Sequence, residues 1–338
     1  MALIKSIEEF QKWVGVNESA SLEAVMGDIL LVEDEIISKY LGRNFMAELD
    51  QKYNEAPDSL TELEVKLIDK LQQAISNLAQ ESYLDLNQVQ ISDGGIHIES
   101  TGSRKTAFQW QINNLRKSFL RKGYNGLERA LEVLEVNIDA TEFATWAESS
   151  FATAFHQFFI NTAREFSQEY NIYNSRLTYM HLLHILKKAE SFFLEPVLGP
   201  ELFYELKDQI KDRDLLPENK ILLEEFIRPA LAHLVVSQAL AEEGFRLTPD
   251  GIELTFGRFD DLNKEKASDS ASQLNRKIRN AHQDGQAYLV KLRNYLDAKS
   301  SATVYSSYYE SPLYQPPGGP KNIVIRNTDP TAKTFRFF

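Results

Sequence analysis

Apolar residues recur at steps of three and four along most of this chain of 338 residues. Ile4, Ile7, Phe10 and Val14 share one side of a short amphipathic helix over residues 3–14. Leu22, Val25, Ile29, Val32, Ile36 and Tyr40 make a longer one. Ser19 or Ser21 is placed to cap it, and Leu41-Gly42 to end it, because glycine adopts the left-handed closing conformation freely. A third helix runs through Leu60, Leu63, Leu67, Leu71, Ala74 and Leu78. The period then changes to two. Val89 and Ile91 alternate with polar residues, Asp93-Gly94-Gly95 turns the chain, and Ile96 and Ile98 alternate back, which predicts a β-hairpin. A last helix follows from about Thr106 to Val136, with a break expected at Gly123 to Gly126.

The same order then returns. Leu182, Leu186, Ala189, Phe193 and Val197 form a long helix ending at Leu198-Gly199, and a third helix spans about Leu222 to Ala241, kinked at Pro229. Phe245 and Leu247, then Pro249-Asp250-Gly251, then Ile252, Leu254 and Phe256 predict a second hairpin, and a last helix runs from about Ser270 to Ala298. Gly42 and Gly199 are offset by 157, Gly95 and Gly251 by 156, and Gly123 and Gly285 by 162. Ordered landmarks at nearly constant spacing indicate a tandem duplication, and duplicated modules suit scaffolds, rings and stacks better than a single catalytic pocket. The predicted fold is mainly α, with two tandem helical-bundle domains that each carry a small β-hairpin. The first domain covers residues 1–137. Residues 138–156, with Phe143, Trp146, Phe151 and Phe155, form a packed helical linker, and the second domain covers 157–298. Residues 299–338 differ from both copies. Pro312, Pro316, Pro317 and Pro320 with Gly318 and Gly319 oppose a helix, and Asn322 to Arg326 reads as one strand. This segment is expected to dock on a partner's sheet edge through Ile323, Val324 and Ile325, with Phe335, Phe337 and Phe338 filling pockets.

Composition narrows the function. Hydrophobic content of 43% and charged content of 25% are ordinary for a globular protein, and a net charge of −12 argues against broad nucleic-acid binding. The chain has no cysteine, so neither disulfides nor thiolate chemistry enter. Charges interrupt the first ten residues, so no secretory signal is expected, nor is a membrane span. His181 and His184 stand three apart, a metal-ligand spacing, but apolar neighbours and the lack of a third ligand favour packed histidines over a metal-dependent enzyme. Glu33-Asp34-Glu35 and Asp260-Asp261 read as solvated carboxylates. No nucleophile stands with a base, and the two turn sequences lack a phosphate-loop pattern. No catalytic residue, cofactor or metal is therefore expected. Arg116, Lys117, Arg121 and Lys122 in copy one and Arg276, Lys277 and Arg279 in the matching region of copy two are basic clusters on an acidic chain. They are either solvated faces or a repeated contact, and an acidic neighbouring subunit is a better partner for them than a DNA backbone.

Ile4-Lys5-Ser6-Ile7-Glu8-Glu9-Phe10, then the helix ending Tyr40-Leu41-Gly42 with Phe45 and Leu49 beyond it, resembles the head–tail connector (adaptor) proteins of tailed bacteriophages. Ile160 to Phe166, then Glu195-Pro196-Val197-Leu198-Gly199 with Leu202, Phe203 and Leu206, carries the same likeness. It extends to an uncharacterised family common in phages and prophages of Bacteroidetes and covers most of residues 1–298. The resemblance implies a mostly helical virion protein, made in the host bacterial cytoplasm and without catalytic residues. It implies a ring, commonly dodecameric, that joins portal protein to tail or other neck proteins and passes DNA through its lumen without specific binding. The duplication and the long tail depart from a single-domain connector. A minor tail-completion protein and a non-viral helical adaptor are the alternative readings.

Overall fold

Each half of the chain lays down the same helices in the same order. The computed structural model describes residues 2–15, 21–87, 90–92, 95–97, 108–149, 152, 157–242, 245–248, 251–254 and 267–317. In copy one, α1 (Ile7–Gln11) is capped by the Ser6 hydroxyl, which accepts from the Glu9 amide. Helix α2 (Leu22–Val32), a π turn (Glu33–Ile37) and α3 (Ser38–Leu41) form one continuous stretch that stops at Gly42, whose φ is +84°. Then come α4 (Arg43–Glu55), α5 (Glu62–Asn87), the short antiparallel strands β1 (Gln90–Ser92) and β2 (Gly95–His97), and α6 (Gln109–Val136). A 3₁₀ turn (Thr141–Phe143) leads into α7 (Ala144–Ala147), which closes the copy.

Copy two repeats this with α8 (Ala163–Glu169), α9 (Arg176–Ala189), a π turn (Glu190–Leu194), and α10 (Glu195–Leu198), which stops at Gly199 with φ +77°. Helix α11 (Pro200–Asp212), α12 (Pro217–Leu222), a further π turn (Leu223–Ile227) and α13 (Arg228–Glu242) follow. Strand β3 (Phe245–Thr248) pairs antiparallel with β4 (Gly251–Leu254), and α14 (Ala267–Lys299) and α15 (Ser306–Tyr309) complete the copy. Ile91 pairs with Ile96 and Leu247 with Ile252, so both strand positions repeat at an offset of 156.

Five local expectations change. The first helix is shorter than 3–14, because Ser6 starts it late and leaves Leu3 and Ile4 buried as a strap ahead of it. The long helices are not plain α-helices. Each π turn inserts a residue and moves the inward register by one, so Ile37 is buried while Ile36 is only partly covered. The expected third helix of copy two is divided by a π turn, and Pro229 lies in the first turn of α13 directly after it. Gly123 and Gly126 do not break α6. A Cβ on Gly123 would lie 2.6 Å from Leu78 Cγ, and one on Gly126 would lie 2.7 Å from the Ala74 amide nitrogen. The glycines let α6 lie against α5, and their order shows that the two helices run in opposite directions. Gly285 repeats the contact in copy two, 2.6 Å from Leu234 Cγ.

The fifth change moves a boundary. Residues 138–149 do not bridge the copies as a separate linker but close copy one. Phe143 and Trp146 are fully buried, Phe143 meets Phe45 edge-on at 6.0 Å, and the Thr145 hydroxyl donates to Glu48 at 2.7 Å. Residues 300–317 do the same for copy two, so the tail does not leave its domain at residue 299. Tyr305 and Tyr308 are buried, the Tyr305 hydroxyl donates to the Glu218 carbonyl at 2.8 Å, and the Ser307 hydroxyl donates to Glu205 at 2.5 Å. Phe143 and Trp146 stand 162 residues before Tyr305 and Tyr308, the offset of Gly123 and Gly285. Ser149 lies against Gly42 as Ser311 lies against Gly199. The reason is aromatic burial: two large side chains at a fixed spacing cover the end of each bundle.

Candidate functional site

Two constructions stand out, one inside each copy and one between them. The first holds the N-terminal strap. Glu33, 9% exposed, accepts from the Leu3 amide at 2.8 Å, and Gln72 Nε2 donates to the Leu3 carbonyl at 2.8 Å. In copy two Glu190 accepts from the Phe159 amide at 2.7 Å, and Arg228 Nε donates to the Phe159 carbonyl at 3.1 Å. Both backbone groups of the strap residue are thus satisfied by equivalent positions, as burial requires. The π turn directs each glutamate inward. The sequence reading of Glu33 as a solvated carboxylate is therefore wrong, whereas Asp34 and Glu35 are exposed.

The surroundings differ in charge. Glu190 pairs with Lys207, whose ammonium also donates to the Gln157 carbonyl at 2.6 Å. Burial pushes the Glu190 carboxyl up and the Lys207 ammonium down, and each charge opposes the other's shift. Lys207 corresponds to Asp50 in copy one, at the offset of 157. Burial raises Glu33 to about 7, and Asp50 adds to the rise against the Leu3 hydrogen bond.

The second construction joins the copies. Glu128 of α6 accepts from the Ser175 hydroxyl, from the Arg176 amide at 2.9 Å and from the Leu177 amide at 3.0 Å. One carboxylate from copy one thereby serves the otherwise unbonded donors at the start of α9 in copy two, where negative charge is favoured. Arg176 pairs with Glu135 and lies 3.9 Å from Glu132. Leu131, between these acids on the same helical face, is 2% exposed. Tyr40 meets His181 with ring centroids 6.3 Å apart, and burial, with Tyr124 and Glu128 nearby, pushes the phenol to about 12. His181 Nδ1 bonds the Leu177 carbonyl at 2.7 Å, while His184 is exposed. Among the described residues no three groups cluster as a metal site.

The predicted basic residues separate on this frame. Arg116 pairs with Glu81 of its own copy at 3.0 Å. Lys117, Arg121, Lys122, Arg276, Lys277 and Arg279 are exposed. With Gly123 matched to Gly285, Lys117 falls on Arg279, but Arg116 falls on Ile278. The clusters share a region and one position; they are not a copied set. Ile323, Val324, Ile325, Phe335, Phe337, Phe338 and Asp260-Asp261 lie outside the described residues. Glu33 was misassigned in the sequence, and Glu190, Glu128 and Arg176 went unnoticed there. Glu33 and Glu190 carried a signal there, since both stand nine residues before their Leu-Gly stop.

The family described as a family of unknown function, DUF6712, matches residues 37–156 and again residues 194–318. The chain belongs to that family. It carries the DUF6712 unit twice. The two matches start at an offset of 157 and end at one of 162, the offsets that separate the paired landmarks. Each runs from the π turn past the closing helix, so residues 138–156 and 299–318 fall within the unit. No curated protein and no solved structure matches the chain.

Proposed function

We propose that this chain is a virion structural protein, a head–tail connector that assembles into a ring between portal protein and tail and lets DNA pass through the lumen. The observation that carries this reading is the head-to-tail junction inside the chain. The last long helix of one unit caps the first long helix of the next, using different surfaces on the two units. Contacts of this heterologous kind continue from unit to unit and close into rings when the rotation permits. The likeness to connector proteins in the Leu-Gly stops and the helices around them supports the same reading. An acidic surface suits a passage that DNA must slide through without sticking, because it repels phosphate. The second part of the proposal is that the residues beyond 317 add a strand to a neck partner through Ile323, Val324 and Ile325, with Phe335, Phe337 and Phe338 seated in pockets. The test is to purify particles of the encoding genome and probe them for this chain, then mix it with the portal protein of that genome and image the mixture. Stoichiometric presence in particles and a ring seated on the portal are expected. Absence from complete particles together with no portal binding would overturn the reading.

A further inference from the structure

We infer that the two free ends of the chain are the two halves of a further junction, in which α14 of one molecule packs against the start of α2 in the next. The inference rests on the assembly reading above and specifies its interface; the occupant of both surfaces is a second copy of this chain.

The internal junction is the template. Its outgoing surface on copy one is Tyr40, Tyr124, Glu128 and Leu131, and its incoming surface on copy two includes Thr178 and His181 around the start of α9. The offsets of 157 and 162 place Val197, Gln286, Val290 and Arg293 on the outgoing surface of copy two, and Ser21 and Ala24 on the incoming surface of copy one. Burial changes as an unfilled junction requires at the counterparts of Leu131, Glu128, Thr178 and His181, whereas Tyr124 is 40% exposed and its counterpart Gln286 less so. Leu131 is 2% exposed, but its counterpart Arg293 is exposed, and Val290, in the place of Glu128, is 59% exposed. Thr178 is buried, but Ser21 is exposed; His181 is partly covered, but Ala24 is exposed.

The chemistry of the free surfaces departs from the template in a way that keeps the two junctions apart. Inside the chain, three glutamates on the outgoing helix meet Arg176 and a helix start. At the free ends the outgoing helix offers Val290 and Arg293, and the incoming helix offers Ala24 and, in its first turn, Glu23, which is exposed. Arg293 stands at the place of Leu131 and Glu23 at that of Met180, so this opposite-charge pair is an addition at the free ends and not a reversal of the Arg176–Glu135 pair, whose acid keeps its sign as Asp297. An outgoing end of copy two placed on another molecule's α9 would set Arg293 toward Arg176, which discriminates against that mispairing.

The absence of cysteine gives a clean test. Ala24→Cys and Val290→Cys are made as separate full-length proteins, with Tyr204→Cys, at an exposed position on α11, as the mismatched partner. A short bismaleimide is added to each protein alone and to mixtures. The inference expects cross-linked dimers in the Ala24→Cys plus Val290→Cys mixture severalfold above the Tyr204→Cys plus Val290→Cys mixture, little from either protein alone, and a ladder of higher species from the double variant. Arg293→Glu should lower the yield, and adding Glu23→Arg should restore it. Equal yields in matched and mismatched mixtures, or efficient cross-linking of one single variant with itself, would overturn it. Light scattering on the unmodified protein separates the two readings. A multimer without the selective cross-link refutes this interface and leaves the assembly standing, whereas a monomer without any cross-link removes both.

Discussion

Glu33 and Glu190 place the same carboxylate in two electrostatic settings, and the difference has a measurable sign. Glu190 has Lys207 as a counter-ion. Glu33 has Asp50 nearby and is raised from 4.5 to about 7. An acid whose folded value exceeds its unfolded value binds its proton more tightly when folded. Copy one should therefore be most stable below about pH 4.5, lose stability as the pH rises toward 7, and level off above that, by up to about 3 kcal/mol from this residue. Glu33→Gln keeps an acceptor for the Leu3 amide and should flatten the dependence in urea melts at pH 5 and pH 8. Asp50→Lys, which copies the arrangement of copy two, should stabilise the protein at pH 8 more than at pH 5. Equal effects at both pH values would mean that Glu33 is not the titrating group. Glycine gives a second test at this scale. Gly126→Ala gains helix propensity of roughly 1 kcal/mol, but its Cβ meets the Ala74 backbone, and overpacking of that kind costs about 1–3 kcal/mol, so net destabilisation is expected. Gly27→Ala, with open space around it, should be stabilising in the same denaturation assay.

The closing elements α7 and α15 are where the boundary moved. Trp146→Ala and Tyr308→Ala should each cost about 3–5 kcal/mol, since each removes a fully buried aromatic side chain. Truncation after Lys299 should lower the stability of copy two, while truncation after Pro317 should leave it unchanged, and thermal melts of the two shortened chains check this. Equal melting temperatures would return residues 300–317 to the status of a tail. The sequence showed the helices, the duplication and the Leu-Gly stops, because each depends on local spacing. Closure was hidden because Trp146 is matched by Tyr308, a change of residue type that a search for repeated letters passes over. The register shift was hidden because a π turn looks the same as an α-helix in a hydrophobic stripe until the inward side chains, Ile37 rather than Ile36, are seen. The strap bonds were hidden because a buried glutamate takes its partner from a backbone amide thirty residues away in the chain. Glu128 was hidden for the same reason: its three donors belong to the other copy.

For the whole molecule, the duplication is the fact from which the function is argued. Two DUF6712 units in one chain meet through unlike surfaces, and the counterpart surfaces are inferred to meet between molecules. A structure of this type either repeats between molecules or wastes the surfaces it exposes. The exposed basic side chains, Lys117 and Arg279 at equivalent positions among them, are proposed to serve contacts with other chains. Reversing both charges should weaken binding to portal protein while leaving the melting temperature unchanged, and unaltered binding would make them solvated faces. The most direct measurement is the mass and shape of the full-length protein, alone and with the portal protein of its genome, by light scattering and electron microscopy. The account predicts closed rings in which every subunit contributes two lobes. A monodisperse monomer under both conditions, at every concentration tried, would contradict it.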